Sequence, residues 1–278
     1  MANNVLINGK KSDLVSFRDR GLQYGDGVFE SIAIENGQLL CWDEHLNRME
    51  QGCKQLNISQ PDKIVLKEET ASLLQSINRS VIKIIITRGL GGRGYSYTDS
   101  SSPNRIISIH DWPEHPRENS TQGIATKVCD YRYAKNIHLA GIKHLNRLEQ
   151  IVARSEWHDN SIVEGIVMDQ YDHIIEGTMS NIFCLIDDVL CTPDLTECGV
   201  KGVVRRKILE TASEININTE IKKISLSMLK SATEIFMCNS IIGIWPVRAI
   251  NEQTFSVGKK TLELQQYLLQ NKVIASSC

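Results

Sequence analysis

One lysine of the chain stands where an amine could act as a nucleophile. Lys143 lies in the segment LAGIKHLNRLEQ, between an apolar approach and a predicted helix. Apolar neighbours disfavour the charged form of a lysine, which leaves an amine able to form a Schiff base with a carbonyl. Most lysines are solvated surface residues, so the alternative is that Lys143 has no chemical role.

A second candidate is the carboxylate of Glu176, which precedes a glycine in IIEGTMSNIF. At a strand end, such a residue is most often a turn residue or an ion-pair partner. A carboxylate opposite a pyridinium nitrogen has a different role, because it keeps that nitrogen protonated and the ring an effective electron sink. Glu176 is therefore of interest only together with a cationic heterocycle.

The run CGVKGVVRRKILETA, residues 198–212, predicts a helix that begins directly after a glycine-bounded turn. The N–H groups of Val203 and Val204 would lie at the positive end of this helix, where proteins commonly hold phosphate. Arg48, in the predicted helix HLNRMEQ, either adds a charge-assisted contact to such an anion or points into water. An empty helix start is the alternative for the glycine-bounded turn.

Two further polar features are less specific. Asn239 and Ser240 close the predicted strand EIFMCNS and are either turn residues or ligand contacts. The segment RGLGGRG, residues 88–94, matches G-x-G-x-x-G, but a dinucleotide site needs a helix at its third glycine and YSYTDSSSP follows instead. We expect a flexible hairpin loop, in which Arg93 could grip a carboxylate in a bidentate fork. Together with the amine, the carboxylate and the helix start, these residues supply the parts of a pyridoxal-phosphate site.

The elements that must position these residues follow from the apolar pattern. Before residue 113, the sequence predicts strands at 4–10, 27–40 (with a turn at Asn36-Gly37), 81–87 and 105–112, and helices at 43–57 and 62–77. After it, the sequence predicts strands at 123–132, 164–169, 174–178, 181–187, 189–193, 234–240 and 241–250, and helices at 146–158, 203–214, 225–231 and 259–270. Strict βαβ alternation is missing, which favours an α+β fold.

The segment PEHPRENSTQG, residues 113–123, has two prolines and no apolar period, so it is the predicted linker. The expected domains are residues 1–115 and 116–278.

The composition excludes several classes of protein. The chain has 278 residues, a net charge of -2 and 41% hydrophobic residues, which indicates a globular protein without the basic surface of a nucleic-acid binder. No apolar run suggests a signal peptide or a membrane span. Its 8 cysteines lack CxxC pairs, so we expect reduced thiols, no zinc or other metal site, and a cytoplasmic location.

Five motifs in consistent order extend these observations over nearly the whole chain. They are DRGLQYGDGVFESI (19–32), RGLGGRGYS (88–96), AGIKHLNRLEQ (140–150), EGTMSNIF (176–183) and GVKGVVRR (199–206). In these motifs the sequence resembles the fold-type IV pyridoxal-phosphate enzymes, the class IV aminotransferase family. The resemblance implies an N-terminal α+β domain and a C-terminal pseudobarrel domain, with the cofactor in the cleft between them, and a homodimer.

The resemblance also implies roles for individual residues. Lys143 would hold pyridoxal phosphate covalently and Glu176 would pair with its ring nitrogen. The phosphate would be held by Arg48 and the amides of Val203 and Val204, with Asn239 or Ser240 completing the phosphate and substrate side. Arg93 would contact a substrate carboxylate, and Phe29, in GDGVFES, is a further candidate for substrate binding.

Within the family, GGRGYS and KHLNRLEQ are most similar to the 4-amino-4-deoxychorismate lyases, which form 4-aminobenzoate and pyruvate for folate biosynthesis. The run GDGVFE also resembles the D-amino-acid aminotransferases, so a transaminase acting on D-alanine or branched-chain amino acids is the alternative. The second alternative is a binding protein that has kept the fold and has no catalytic activity.

Overall fold

A computed structural model describes residues 4–75, 77–97 and 102–276, which separate into two units. The first unit comprises the residues up to Pro113 together with Ile142–Asn146, and the second comprises Glu114–Gly141 and the residues from Arg147 onward. The short segment that contains Lys143 thus groups with the N-terminal residues. The roles of the two expected domains stay predictions.

The first unit is built on antiparallel strands and three helices. Its elements are β1 (Val5–Ile7), β2 (Lys10–Lys11), α1 (Arg20–Tyr24), β3 (Gly27–Glu35), β4 (Gln38–Leu39), α2 (Trp42–Gln55), α3 (Lys63–Leu73), β5 (Arg79–Thr87) and β6 (Asn104–His110). The strands form one sheet in the order β2-β1-β6-β5-β3-β4. Helix α2 packs its apolar residues Leu46, Met49 and Cys53 into the core beside the sheet.

The hairpin predicted at Asn36-Gly37 is confirmed. Both residues have positive φ, 51° and 71°, which is the backbone that a tight two-residue hairpin turn requires. The turn joins β3 to β4, with Ile34 opposite Leu39. Asparagine and glycine tolerate this conformation better than other residues, which is why the dipeptide predicted the turn.

The second unit contains the remaining elements. They are α4 (Glu118–Thr121), β7 (Ile124–Tyr133), α5 (Leu148–Arg154), β8 (Ile162–Asp169), β9 (His173–Gly177), β10 (Asn181–Ile186), β11 (Val189–Pro193), α6 (Val203–Glu214), β12 (Thr219–Lys222), β13 (Ile224–Ser225), α7 (Leu226–Ser231), β14 (Glu234–Asn239), β15 (Gly243–Ile250), β16 (Gln253–Thr254) and α8 (Lys259–Gln270).

The strands of the second unit form one large mixed sheet. Its order is β12-β11-β10-β14-β15-β7-β8-β9-β13, and β16 pairs with β15. Pairs β15·β7, β7·β8 and β11·β12 are parallel, and the others are antiparallel. Strand β9 also approaches β10 and β11, so the sheet curls into a nearly closed barrel. The expected α+β fold with a barrel-like C-terminal part is confirmed.

Two predicted segments differ from the structure. The expected linker, 113–123, contains helix α4, in which Asn119 and Ser120 are buried, and the Ser120 carbonyl accepts a hydrogen bond from Gln265. The two units part at Pro113, where this segment begins, and the rest of the segment belongs to the second unit. The predicted helix 146–158 is limited to Leu148–Arg154, because the residues just before it pair with β3 instead.

The cysteines of the described residues carry no disulfide. Cys184 and Cys191 lie directly opposite each other on β10 and β11, and both are buried. Burial raises the pKa of the thiols of Cys53, Cys129, Cys184, Cys198 and Cys238 to about 12. Among the described residues, no helix is long and apolar enough to cross a membrane, and no group of side chains is suited to a metal ion.

The core of the first unit should be sensitive to the loss of one side chain. Ile82 in β5 is 0% exposed, whereas Ile64 in α3 is 68% exposed. We expect Ile82→Ala to lower the free energy of unfolding by about 2–5 kcal/mol, because the truncation leaves a cavity. Ile64→Ala should change it by less than about 0.5 kcal/mol. Urea-induced unfolding measures both, and equal losses would contradict this packing.

Candidate active site

Strand β3 holds the segment that carries Lys143. The Phe29 N–H donates to the Lys143 carbonyl (2.9 Å), and the Leu145 N–H donates to the Gly27 carbonyl (3.0 Å). The half-buried side chain of Lys143 places Nζ 4.4 Å from the centre of the Phe29 ring. The amine therefore lies against an aromatic face, on a backbone fixed by a strand.

Glu30, the next residue of β3, is fully buried between two basic side chains. His45 Nδ1 lies 2.6 Å from Oε2, and Arg48 donates from Nε to Oε1 (2.8 Å) and from Nη2 to Oε2 (2.5 Å). Burial opposes ionisation, yet the charges of Arg48 and His45 bring the pKa of Glu30 down to about 2. The side chain of Arg48 is only 11% exposed, so the alternative that it points into water is wrong. Its contact with phosphate stays a prediction.

Arg93 has an exposed side chain in the loop between β5 and β6. This loop is less free than the sequence suggested, since the buried guanidinium of Arg20 donates to the carbonyls of Gly94 (3.0 Å) and Tyr95 (3.2 Å). The segment to Tyr97 contains no helix, in agreement with the rejection of a dinucleotide fingerprint. The expected contact of Arg93 with a carboxylate stays a prediction.

In the second unit, Glu176 is buried at the end of β9 and is tied to the start of α6. Its Oε2 accepts from the Val200 N–H (2.9 Å) and from Nδ2 of Asn181 (3.2 Å). Asn181 in turn accepts at Oδ1 from the Gly202 N–H (3.0 Å). One amide side chain thus links the carboxylate to Gly202, the residue directly before the helix.

Helix α6 begins at Val203 with Gly202 as its N-cap, and no side chain caps it. The first N–H groups of a helix have no acceptor within the helix, so this end favours an anion. Any Cβ at position 202 would overlap Oδ1 of Asn181, which explains the glycine. Val203 and Val204 pack their side chains into the core and leave only backbone groups for a ligand.

Polar groups around Tyr133 also lie near Glu176. Gln150 donates from Nε2 to the Tyr133 hydroxyl (3.0 Å), and burial together with the charge of Glu176 raises the pKa of that hydroxyl. Within the described residues, the buried atoms Nε of Arg147 and Oε1 of Gln150 have no hydrogen-bond partner. Buried polar atoms without partners are rare, and a polar ligand is one way to satisfy them.

A second buried carboxylate, Glu164, shapes the turn after Glu176. Its oxygens accept from Thr178 (N–H, 3.1 Å; hydroxyl, 2.5 Å), from the Met179 N–H (3.2 Å) and from the Ser180 hydroxyl (2.8 Å). These bonds fix the backbone between Glu176 and Asn181. The turn therefore has one defined shape.

Asn239 makes turn contacts with its whole side chain. Its Oδ1 accepts from the N–H groups of Ile241 (2.8 Å) and Ile242 (2.9 Å), and Nδ2 donates to the Met179 carbonyl (3.0 Å). Of the two alternatives for this residue, the structure supports the turn. Ser240 is half-buried beside it, and ligand contacts of either residue stay predictions.

Comparison with known proteins agrees with this arrangement. The family model for class IV amino-transferases matches residues 27–250. The chain belongs to this family. Class IV aminotransferases of this fold type depend on pyridoxal phosphate.

Three similar proteins cover almost the whole chain. An aminodeoxychorismate lyase of Vibrio harveyi is 36% identical over 93% of this chain and 97% of its own length. The crystal structure of a 4-amino-4-deoxychorismate lyase from Pseudomonas aeruginosa superposes with a TM-score of 0.93 at 40% identity, covering 97% of this chain and all of that one. A D-alanine aminotransferase of Bacillus licheniformis is 28% identical over 98% of both chains.

The candidate residues divide between the two units, and sequence reasoning missed several of their partners. Phe29, Arg48, Arg93 and Lys143 belong to the first unit, and Glu176, Val203, Val204, Asn239 and Ser240 to the second. The missed residues are polar: Arg20, Glu30, His45, Glu164 and Asn181 are buried, and Arg147 is half-buried. Glu30 and Asn181 stand inside the motifs GDGVFE and EGTMSN. A charged or amide residue within an otherwise apolar strand could have indicated a buried polar contact at these two positions.

The buried Glu30 should make stability depend on pH in the acid range. Its pKa of about 2 lies below the ordinary 4.5, so its contribution is complete above about pH 4.5 and is lost as the pH falls toward 2. Glu30→Gln should lower the free energy of unfolding by about 3–5 kcal/mol at pH 7, because it removes the buried negative charge that faces Arg48 and His45. The difference from wild type should shrink below pH 4.5.

Unfolding in urea at several pH values measures this difference. Glu68→Gln, an exposed substitution on α3, is the control and should show no such change. A pH-independent difference for Glu30→Gln would contradict the charged state of this cluster.

Proposed function

We propose that the chain is a pyridoxal-phosphate-dependent 4-amino-4-deoxychorismate lyase, which converts 4-amino-4-deoxychorismate to 4-aminobenzoate and pyruvate. The observation that carries the proposal is the end-to-end similarity to two lyases, at 36% and 40% identity, together with an amine at Lys143.

The residues present fit the cofactor. Lys143 offers an amine for the aldehyde, and Glu176 offers a buried carboxylate for the ring nitrogen. The uncapped start of α6, with the amides of Val203 and Val204, offers donors for the phosphate, and Arg48 offers a guanidinium for the same group. The unpartnered Nε of Arg147 is a further polar atom that a bound ligand would satisfy.

Each residue then has a defined task in the reaction. Pyridoxal phosphate supplies an aldehyde that bonds to amines and a protonated ring that draws electrons from the attached carbon. Glu176 keeps the ring nitrogen protonated. With the group bound, Nζ of Lys143 would hold it, and the same amine, once free, would take the proton from the amine-bearing carbon of the substrate. Cleavage of the bond between the ring carbon and the ether oxygen would release enolpyruvate, which takes up that proton to become pyruvate. The carbocycle would then be aromatic, which makes the reaction strongly downhill.

Arg93 would bind a carboxylate of the substrate, and Phe29 would line the substrate side next to the lysine. A guanidinium suits this task because its planar fork matches a carboxylate in two hydrogen bonds.

The 28% identity to a D-alanine aminotransferase makes a transaminase the second candidate. A transaminase must also accept a keto acid, whereas the lyase needs no second substrate. A cytoplasmic location stays a prediction.

The lyase reaction should depend on Lys143 and not on the lysine beside it. Lys83 also places its Nζ near the Phe29 ring, at 5.3 Å, and so is a matched control. We expect the wild-type protein and Lys83→Ala to form 4-aminobenzoate from 4-amino-4-deoxychorismate. Lys143→Ala should lose at least about 10³-fold in turnover, because the nucleophile is gone.

The measurement is a product assay, with borohydride reduction and peptide mapping to locate the trapped cofactor. The same protein is incubated with D-alanine or L-leucine and 2-oxoglutarate. Transamination without 4-aminobenzoate would establish the second candidate, and cofactor trapped in Lys143→Ala would refute the assignment of the lysine.

We also propose that the protein is a homodimer, as the family resemblance implies. Helix α5 exposes Leu148, Ile151 and Val152 to 72, 60 and 48%, at positions that share one face. Exposed apolar side chains grouped in this way favour contact with a protein partner. The family resemblance implies that this partner is a second copy of the chain.

Sedimentation should therefore report a dimer for the wild-type protein. Ile151→Asp should raise the dissociation constant of the dimer at least about tenfold, because the interface would then bury a charge without a partner. Ile64→Asp, on the exposed side of α3, should leave the dimer intact. A monomeric wild type would contradict the proposal.

A further inference from the structure

Arg20 is a buried arginine that binds the backbone of the loop carrying Arg93. It donates from Nη1 to the Gly94 carbonyl (3.0 Å) and from Nη2 to the Tyr95 carbonyl (3.2 Å), on the residues that directly follow Arg93. Its guanidinium also packs over the ring of Tyr24, at 4.8 Å. The side chain is 4% exposed, so the loop backbone closes over it.

Arg20 shares its carboxylate partner, Asp26, with a second arginine, Arg88. Asp26 accepts from Nε of Arg20 (2.9 Å) but also from Nε (2.7 Å) and Nη2 (3.0 Å) of Arg88. Two guanidiniums therefore share one carboxylate. Arg88 satisfies its other donors on the carbonyls of Leu56 and Asn57, after the end of α2. Arg20 donates its remaining N–H groups to carbonyl oxygens of the loop. Hydrogen bonds from a charged donor are stronger than those from a neutral one, so these bonds hold the loop backbone in place.

The loop sequence is adapted to this contact. A Cβ at Gly91 would lie 2.6 Å from Cδ of Arg20, so a side chain there would displace the arginine or the loop. Gly94 has a φ of 87°, which turns the chain back toward Arg20 directly after Arg93. Gly91 and Gly94 thus allow the loop to wrap around the guanidinium of Arg20.

We propose that Arg20 is a positioning residue for substrate recognition. By fixing the carbonyls of Gly94 and Tyr95, it holds the exposed side chain of Arg93 where it meets a carboxylate of the substrate. The expected effect on kinetics rests on the proposed function. The contact between Arg20 and the loop is independent of it. Such a residue sets the affinity for an anionic substrate and leaves the proton transfer at Lys143 unchanged.

The test compares Arg20→Lys with wild type, because lysine keeps the charge and removes the planar fork. We expect KM for 4-amino-4-deoxychorismate to rise about tenfold with kcat changed less than about twofold, since the lost contact is made in both ground and transition states. Arg93→Ala should raise KM similarly, and the double variant should be no worse than Arg93→Ala alone. Arg105→Lys is the matched control, because Arg105 makes a two-point contact with Glu69 in the same unit.

Limited proteolysis gives a readout that does not depend on activity. Trypsin cleavage after Arg93, identified by fragment mass, should be faster in Arg20→Lys than in wild type and unchanged in Arg105→Lys. If Arg20→Lys does not fold, Gly91→Ala tests the same contact from the loop side and should give the same two effects.

The possible results separate the two proposals. An unchanged KM and cleavage rate in Arg20→Lys would overturn the role of Arg20, as would a fall in kcat alone accompanied by a lower melting temperature. An effect of Arg20→Lys on KM that simply adds to that of Arg93→Ala would also overturn it. Wild-type protein that forms no 4-aminobenzoate would overturn the proposed function instead, and the cleavage rates would still decide whether Arg20 holds the loop.

Discussion

The backbone pairing between residues 143–145 and β3 is the constraint on which the first unit's candidate site depends. Because side chains alternate along a strand, the same register that sets Phe29 beside the amine of Lys143 turns Glu30 to the opposite face, where His45 and Arg48 of α2 meet it. A slip by one residue would exchange the two faces. A single set of hydrogen bonds thus positions both an aromatic contact and a buried ion pair.

The second unit uses buried carboxylates for a different purpose. Glu164 accepts hydrogen bonds from the turn 178–180, and Glu176 accepts from the Val200 amide, so each satisfies donors that a loop would otherwise leave unpaired. Asn181 connects the second of these carboxylates to the start of α6. The result is a rigid frame in which an acidic group and a helix end keep a fixed separation.

Much of the fold could be predicted from sequence, and the reasons are local. Helices α6 and α8 match the predicted ranges 203–214 and 259–270, since an apolar period and a preceding glycine mark their starts. The segment 113–123, predicted as a linker, begins where the two units part, but it contains the short helix α4, whose Asn119 and Ser120 are buried and give no apolar signal in the sequence. For the site, residue types identified the amine, the carboxylate and the helix start, but not Arg20, Glu30 or Glu164. Their roles depend on partners 14 to 75 positions away, such as Thr178 for Glu164 and Tyr95 for Arg20, and no local pattern encodes such a pairing.

The opposed cysteines of β10 and β11 have a consequence for handling the protein. A thiol reacts through its thiolate, and burial that raises the pKa of Cys184 to about 12 leaves almost none of that form at neutral pH. Alkylating reagents can therefore reach this strand pair only when the barrel opens. The rate at which Cys184 and Cys191 are alkylated therefore reports how often the second unit opens transiently. Mass spectrometry can measure this rate without any engineered probe.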